Sequence, residues 1–438
     1  MADLRRCRPL FVQWLNYLID LWQCQGVTRP DAPPGAVRQG SLREWNLALV
    51  LDRIAAADRP PSRAELAAGT GLTRATVSAV VEDLLAGRLV AEAEPTPRAG
   101  AGRPSRGLVL ATNGPAGLGL EVNVDYLAAC VVDLAGRVRK HTVHRADLRP
   151  VSPAEALARL AELAAQARAD AAREGLTLAG AALAVPGLVD AAGLVRLAPN
   201  LGWRDVPVPA LLAEGAPLTA HVDGVPPLVV ENEANLAALG ELHAGAAGPA
   251  SFLHISGEVG VGAGIVLDGS LFRGTRGWSG EIGHLPVRPD GPPCRCGGRG
   301  CLETYAGQEA ILAAAGLAGA DLPADTATTR LAELAEAGDP AVRRALAGAG
   351  TALGVAVAGV VNLLDLDTVV LGGGYAPLTP WLRPPVLAEI SRRVLTAAWS
   401  PVTVRPATLG ATAAAVGGAG SVVRRILARP AGWLARPG

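Results

Sequence analysis

The spacing of apolar residues changes several times along the chain, and each change predicts an element. Leu47, Val50, Leu51 and Ile54 recur at helical spacing, which predicts a helix over Leu47–Ala57. Ser62 stands where an N-cap belongs and Glu65 follows three residues later, so a capping box opens a helix over Arg63–Gly69. Gly71 supplies a tight turn and Thr73 caps a second helix. That helix, Thr73–Ala86, carries Val77, Val80, Val81 and Leu84 on one face. Leu89–Glu94 and Arg106–Ala111 read as two strands joined by a basic Gly/Pro loop, Pro95–Pro104.

Beyond Gly117, strand and helix patterns alternate. Leu118–Asp133 reads as a hairpin, Ala154–Glu174 as an Ala/Leu-periodic helix and Gly180–Val185 as a buried strand. Leu228–Val230 is a strand and Glu233–Ala244 a helix, followed by a Gly-punctuated hairpin, Ser251–Ile255 and Val261–Leu267. Ala310–Ala349 is mostly helical and Leu353–Leu364 is a helix. Thr368–Leu371 is a strand that runs into Gly372-Gly373-Gly374. Such alternation implies an α/β protein. With 438 residues, two or three folding units are expected. An apolar fraction of 50% and a charged fraction of 18% allow a large core and argue against wholesale disorder.

A formal net charge of zero argues against a protein that coats nucleic acid through bulk charge, but leaves room for a small basic surface. Residues 1–40 are patterned weakly and receive no function. Their apolar stretch, Pro9–Trp22, is interrupted by Gln13, Asn16 and Asp20 and is too short and polar to span a bilayer. No cleavage pattern follows it, so the cytoplasm is the expected location and no membrane partner is expected.

Two helices joined by a short turn and followed by a two-stranded wing form a winged helix-turn-helix. Its second helix opens with Thr73, Arg74, Thr76 and Ser78, short polar groups and a cation suited to base edges and phosphates. Ser62 and Arg63 open the preceding helix, and Arg98 and Arg103 lie on the wing, where an arginine can enter a minor groove or hold phosphate. The competing reading is a small helical domain that packs on a partner protein, with Arg74 merely solvated.

Three of the six cysteines crowd into one glycine-rich loop, Cys294, Cys296 and Cys301, and His284 lies ten residues upstream of the first. One imidazole and three thiolates make a closed tetrahedral set, the arrangement of a structural zinc site. An iron–sulfur cluster would more often require a fourth cysteine, and none is nearby. Three reduced thiols beside a surface histidine are the alternative.

Gly280-Glu281-Ile282-Gly283-His284, the cysteine loop ending in Leu302-Glu303, and Glu231-Asn232-Glu233-Ala234-Asn235 together resemble the ROK family of repressors and sugar kinases. The winged helix ending in Gly102-Arg103-Pro104-Ser105 resembles that family's repressor branch, above all its xylose-repressor-like members. The resemblance spans about residues 41–420. It implies a winged helix followed by an actin-like, ribonuclease H-like pair of α/β lobes with sugar in the cleft. The expected divisions are an extension over 1–40, the winged helix over 41–110, a first lobe over 111–231, a second lobe with the zinc loop over 232–410, and a C-terminal helix over 411–438 that returns to the first lobe.

By the same resemblance, sugar hydroxyls would be held by Gly187, Asn200, Asn232, Glu233, Glu281, His284 and Glu303. Family kinases carry Asp-x-Gly-x-Thr-Lys on the first hairpin, where this chain has Glu121, Val122, Asn123, Val124, Asp125 and Tyr126. The second phosphate loop, Gly-Thr-Gly, is here Gly257-Glu258-Val259, and Glu233 replaces the catalytic aspartate. No catalytic residue is therefore expected. The implied protein is a sugar-responsive repressor that binds a palindromic operator as a homodimer or homotetramer. An active ATP-dependent sugar kinase is the alternative, because the Gly372–Gly374 turn that meets adenosine in kinases persists.

Overall fold

The computed structural model of the protein describes residues 39–93, 106–213, 226–244, 250–318 and 324–435. The N-terminal stretch and the wing loop with Arg98 and Arg103 lie outside the described residues. From Glu44 onward the chain forms one compact unit.

Three helices open it: α1 (Gln39–Ala55), α2 (Arg63–Thr70) and α3 (Arg74–Ala86). At the start of α2 the Glu65 backbone N–H donates to the Ser62 hydroxyl at 3.3 Å, and Ser62 N–H donates back to the Glu65 carboxylate at 2.8 Å. The capping box is thus formed on both sides. Gly71 ends α2 at φ 74°, and Thr73 caps α3 by accepting from Thr76 N–H at 3.1 Å. The antiparallel strands β1 (Val90–Glu92) and β2 (Leu108–Leu110) close the winged helix, over a core of Leu47, Val50, Leu51, Val77, Val81 and Leu84.

The first lobe is a five-stranded sheet. Its strands are β3 (Pro115–Val122), β4 (Tyr126–Asp133), β5 (Val138–Arg145), β6 (Thr177–Val185) and, after further elements, β10 (Leu228–Asn232). They lie in the order β10-β6-β3-β4-β5, with β3, β6 and β10 parallel and the β3–β4–β5 meander antiparallel. Helix α4 (Pro153–Arg173) buries its Ala/Leu face on this sheet. A small sheet of β7 (Leu188–Val189), β8 (Leu194–Ala198) and β9 (Trp203–Pro207), with α5 (Val208–Ala213), projects beside it.

Helix α6 (Glu233–Ala244) leads to the second lobe. There β11 (Phe252–Gly257), β12 (Val261–Leu267) and β13 (Ser270–Leu271) form the meander, and β14 (Thr368–Gly373) and β15 (Thr403–Pro406) run parallel to β11. The order β13-β12-β11-β14-β15 repeats that of the first lobe. Helices α7 (Glu303–Ala306), α8 (Gln308–Ala314), α9 (Ala324–Glu336), α10 (Pro340–Leu364) and α11 (Tyr375–Arg393) cover the sheet. The helical reading over Ala310–Ala349 and Leu353–Leu364 regroups: Gly316 and Gly338, at φ 77° and 87°, break the chain, and α10 continues unbroken through Leu353. By length and apolarity α10 is a possible membrane span, yet its apolar face fills the second-lobe core.

Helix α12 (Ala413–Ala428) returns to the first sheet and also packs on α6. Glycines permit the close approach. A Cβ on Gly119 of β3 would lie 1.8 Å from Ala415 O, and one on Gly417 of α12 would lie 1.9 Å from Leu236 O of α6. Short α13 (Pro430–Leu434) follows and reaches the winged helix. Trp433 Nε1 donates to Gly87 O at 2.8 Å, at the C-cap of α3. One apolar cluster accordingly runs from Val80 and Leu84 of α3 through Ala415 and Val422 of α12 to Leu236 of α6.

Strand β5 and helix α11 are among the elements that the hydrophobic pattern leaves out, each for a physical reason. Strand β5 is an exposed edge built from Arg, Lys and His, so it shows no buried alternation. Helix α11 contains Pro380, Pro384 and Pro385, each of which removes a helical donor. It persists because Tyr375, Leu378, Leu382, Val386 and Ile390 bury one continuous face.

Candidate effector cavity and metal centre

The cysteine loop leaves β12 and β13 and folds back on itself. Cys294 N–H donates to Gly298 O at 2.9 Å and Gly297 N–H to Cys294 O at 3.0 Å. This turn gathers His284, Cys294, Cys296 and Cys301, whose ligand atoms all lie within 4.8 Å of one another. Cys296 Sγ and Cys301 Sγ are 3.8 Å apart, as are Cys294 Sγ and His284 Nδ1. Bonds of about 2.3 Å from sulfur to one tetrahedral ion put the sulfurs roughly 3.8 Å apart. The donor set therefore fits a metal in both chemistry and spacing.

His284 turns its second nitrogen the other way. Nε2 lies 4.0 Å from Glu281 Oε2, at the wall of a cavity of about 250 Å³ between the lobes. Gly187, Asn200, Asn232, Glu233, Glu281, His284 and Glu303 all line this cavity. The expected sugar contacts are thus brought together from the β6–β7 turn, the β8–β9 turn, the junction of β10 with α6, the loop after β13 and the start of α7. Their local roles differ. Asn232 Oδ1 accepts from Ala234 N–H at 2.9 Å and Asn235 N–H at 3.2 Å and so caps α6, while its Nδ2 donates to Gly187 O at 3.0 Å. Gly187 holds φ 110°, and a Cβ there would strike Leu197 O at 2.2 Å. Glu303 accepts from Val261 N–H at 3.4 Å.

A group of acids gathers at the cavity, with Glu233 and Glu281 half-buried in its lining and Glu121 buried nearby. Burial, reinforced by the charges of Glu121 and Glu281, pushes the Glu233 carboxyl up to about 8. Burial also raises Glu121 to about 7, against the opposing hydrogen bonds of Tyr126 and Asn123. Glu281 is raised too, by burial first and by Glu303, with His284 opposing. Glu233 is therefore largely protonated at neutral pH and offers a donor as well as an acceptor.

The expected phosphate positions are occupied by side chains. Tyr126 OH donates to Glu121 Oε1 at 2.6 Å and Asn123 Nδ2 donates to Tyr126 OH at 3.1 Å. A Cβ on Gly373 would lie 2.4 Å from Glu258 Oε1, so this carboxylate rests on the glycine turn. A second cavity of about 310 Å³ lies beyond, lined by Tyr126, His141, Glu258, Thr328 and Gly374.

At the other end of the molecule, Arg74 and Ser78 are exposed at the start of α3 and Thr76 is half-buried. Thr73 and Thr76 hydroxyls bond each other at 2.9 Å. Arg74 has no ion-pair partner among the described residues. Ser62 is buried with its hydroxyl engaged in the capping box, and Arg63 bridges Glu82 at 2.9 Å and Glu92 at 3.4 Å, so both have structural partners. The reading of the sequence missed Arg295, whose guanidinium reaches Asn200, and Trp433; no spacing signal marks either.

A winged helix fused to a two-lobed α/β domain, with a cysteine loop that could hold a metal beside an interlobe cavity, defines the class of protein. The chain belongs to the ROK family, whose sequence profile matches residues 117–425. It is 29% identical over 392 residues to the xylose repressor of Bacillus spizizenii, covering 89% of this chain and 97% of that one. It is also 34% identical over 255 residues to the glucokinase of Halalkalibacterium halodurans, covering 55% of this chain and 75% of that one. Among solved structures, a ROK family transcriptional regulator, homolog of the E. coli MLC protein, superposes with a TM-score of 0.72 at 24% identity, over 90% of this chain and 99% of that one. A ROK glucokinase from Streptomyces griseus, in complex with glucose and AMPPNP, matches with a TM-score of 0.58 at 27% identity, over 70% and 98%.

Proposed function

We propose that the chain is a sugar-responsive DNA-binding transcriptional repressor whose kinase-like domain has lost its phosphate-binding apparatus. The observation that carries this is a continuous connection. The cavity opens on the N-terminus of α6, α6 packs on α12, and α13 holds the C-cap of the recognition helix α3 through Trp433. A ligand that moves α6 thereby biases the DNA-reading head. The near full-length similarity to a xylose repressor supports the same reading and makes D-xylose the first effector to test. The carboxyl groups of Glu233, Glu281 and Glu303 beside the Asn200 amide suit vicinal hydroxyls.

In this reading Thr73, Arg74, Thr76 and Ser78 face the major groove, and the wing carries Arg98 and Arg103. The protein works in the cytoplasm as a homodimer or homotetramer on a palindromic operator, since paired winged helices read paired half-sites. The domains divide as winged helix 41–110, lobes 111–231 and 232–410, and the returning segment 411–438. A structural zinc ion at His284, Cys294, Cys296 and Cys301 would lock the loop and orient His284 Nε2 toward the cavity. Replacing Cys296 with Ser should abolish stoichiometric zinc and weaken sugar binding with it; wild-type protein purified without chelators and free of zinc would contradict the assignment.

Kinase activity remains the second reading, favoured by the retained glycine turn and the second cavity. Glu258 against Gly373 and the Glu121–Tyr126 pair oppose it, because like charge meets phosphate there. Gel-shift assays with DNA selected from a random pool test the repressor reading. Arg74→Ala should weaken binding by about tenfold, as expected for a lost charge-assisted contact. Wild-type protein that retains no DNA would sink it.

A further inference from the structure

We propose that Arg295 is a positioning residue of the effector cavity, which sets the orientation of the Asn200 amide from across the cleft and straps the two lobes together at the cavity mouth. The inference rests on the sugar-cavity reading and adds to it a residue outside the expected contact set.

Arg295 sits between Cys294 and Cys296, so the loop that gathers the thiols also fixes its backbone. Its side chain leaves the loop toward the other lobe. Nη1 donates to Asn200 Oδ1 at 3.4 Å and Nη2 to Glu309 Oε2 at 2.8 Å. The other Glu309 oxygen lies 3.9 Å from Arg149 Nη1. Arg149 is itself gripped by Asp147, Nε to Oδ1 at 2.8 Å and Nη2 to Oδ2 at 3.2 Å. Asn200 and Arg149 belong to the β3–β10 lobe, while Arg295 and Glu309 belong to the β11–β15 lobe. Two polar links thus cross the cleft side by side. They also border a smaller cavity of about 150 Å³ that shares Asn200, Val259 and Glu303 with the main one.

A guanidinium only donates, so the amide of Asn200 must show it the carbonyl. The amide nitrogen is then left for the cleft. A Cβ on Gly260 would lie 2.9 Å from Asn200 Nδ2 and 2.3 Å from Glu303 Oε2, so the amide donor and the carboxylate acceptor stand beside the same point. A ligand hydroxyl that reaches both groups from the cavity accepts from Asn200 and donates to Glu303. A hydrogen or an ether oxygen at that position satisfies at most one of them. With the amide reversed, two acceptors would face one hydroxyl proton. Arg295 therefore selects for a hydroxyl without touching it. Its own ion pair is exposed, and exposed pairs contribute little to stability. The effect belongs in ligand affinity and loop dynamics instead of in melting temperature.

The test uses the full chain, with D-xylose and D-glucose as calorimetric probes and hydrogen exchange in the absence of sugar. Arg295→Ala should weaken the better probe by about 2- to 13-fold, the effect of one ordinary hydrogen bond. Arg295→Lys, which donates to Asn200 but cannot also span to Glu309, should restore part of the loss. Adding Arg295→Ala to Asn200→Ala should cost no further affinity. Without sugar, exchange across residues 196–206 should quicken in Arg295→Ala. Native affinity in Arg295→Ala, or losses that multiply in the double variant, would overturn the positioning role, and unchanged exchange would overturn the strap. If neither sugar binds the wild type, the sugar-cavity reading fails separately, and the exchange experiment still decides the strap.

Discussion

A carboxyl group at Glu121 has almost no water to stabilise its charge, and the hydrogen bonds it receives from Tyr126, Asn123 and the Ala415 backbone offset that loss only in part. Its folded value of about 7 lies above the ordinary carboxyl value of 4.5, so the folded state holds the proton more tightly than the unfolded chain. Stability from this group is complete below about pH 4.5 and is lost as pH rises through 7, by an amount of order 3 kcal/mol. Glu233, raised to about 8, acts in the same direction. Glu121→Gln keeps an oxygen for Tyr126 and removes the titration, so urea denaturation should show a smaller fall in stability between pH 5 and pH 8 than in the wild type. Parallel pH profiles would contradict the burial argument. At this scale the sequence exposes residues that cluster in short motifs, such as the cysteine loop and Glu231–Asn235. It conceals residues whose partner is distant. Arg295 meets Asn200 across 95 positions, and nothing in either neighbourhood marks the meeting. Asn232 is legible as a cavity residue, but the capping of α6 by its amide oxygen becomes visible only once the helix start is placed.

Helices with one buried stripe and a capping residue, α2, α3 and α4, follow directly from spacing. Strand β5 and helix α11 do not, because an edge strand has no buried face and prolines mask a helix that tertiary packing sustains. The contact of α12 with α6 is likewise invisible locally, since it depends on a missing side chain at Gly417. Gly417→Ala forces a methyl group against the α6 backbone and should destabilise the protein by about 1–3 kcal/mol in chemical denaturation. A variant as stable as wild type would show that the helices are free to separate. Trp433→Phe preserves most of the packing on α3 but deletes the bond to Gly87 O. It should leave sugar affinity and DNA affinity nearly intact and shrink the change in one caused by the other. An undiminished response would place the coupling elsewhere.

Across the whole molecule, two lobes of one topology enclose a cavity, and the first sheet, α6 and α12 share a cluster of apolar residues with the winged helix. The alternation of strands and helices foretold the α/β class, and the motifs foretold the cleft; the continuity of the core between α3 and α6 is a property of the folded chain alone. Phosphate transfer from ATP to D-xylose or D-glucose should be absent at saturation, given the side chains that fill the phosphate positions. Turnover abolished by Glu233→Ala would promote the kinase reading. The central claim is that sugar and DNA act on one equilibrium, which requires the effector to bind the two lobe arrangements unequally. Its most direct measurement is a linkage titration: DNA selected from a random pool is titrated with protein at increasing D-xylose, and sugar affinity is measured with and without that DNA. The account predicts a change of about 5- to 150-fold in DNA affinity and an equal factor in sugar affinity. Sugar that binds in the cavity yet leaves DNA affinity unchanged would contradict it.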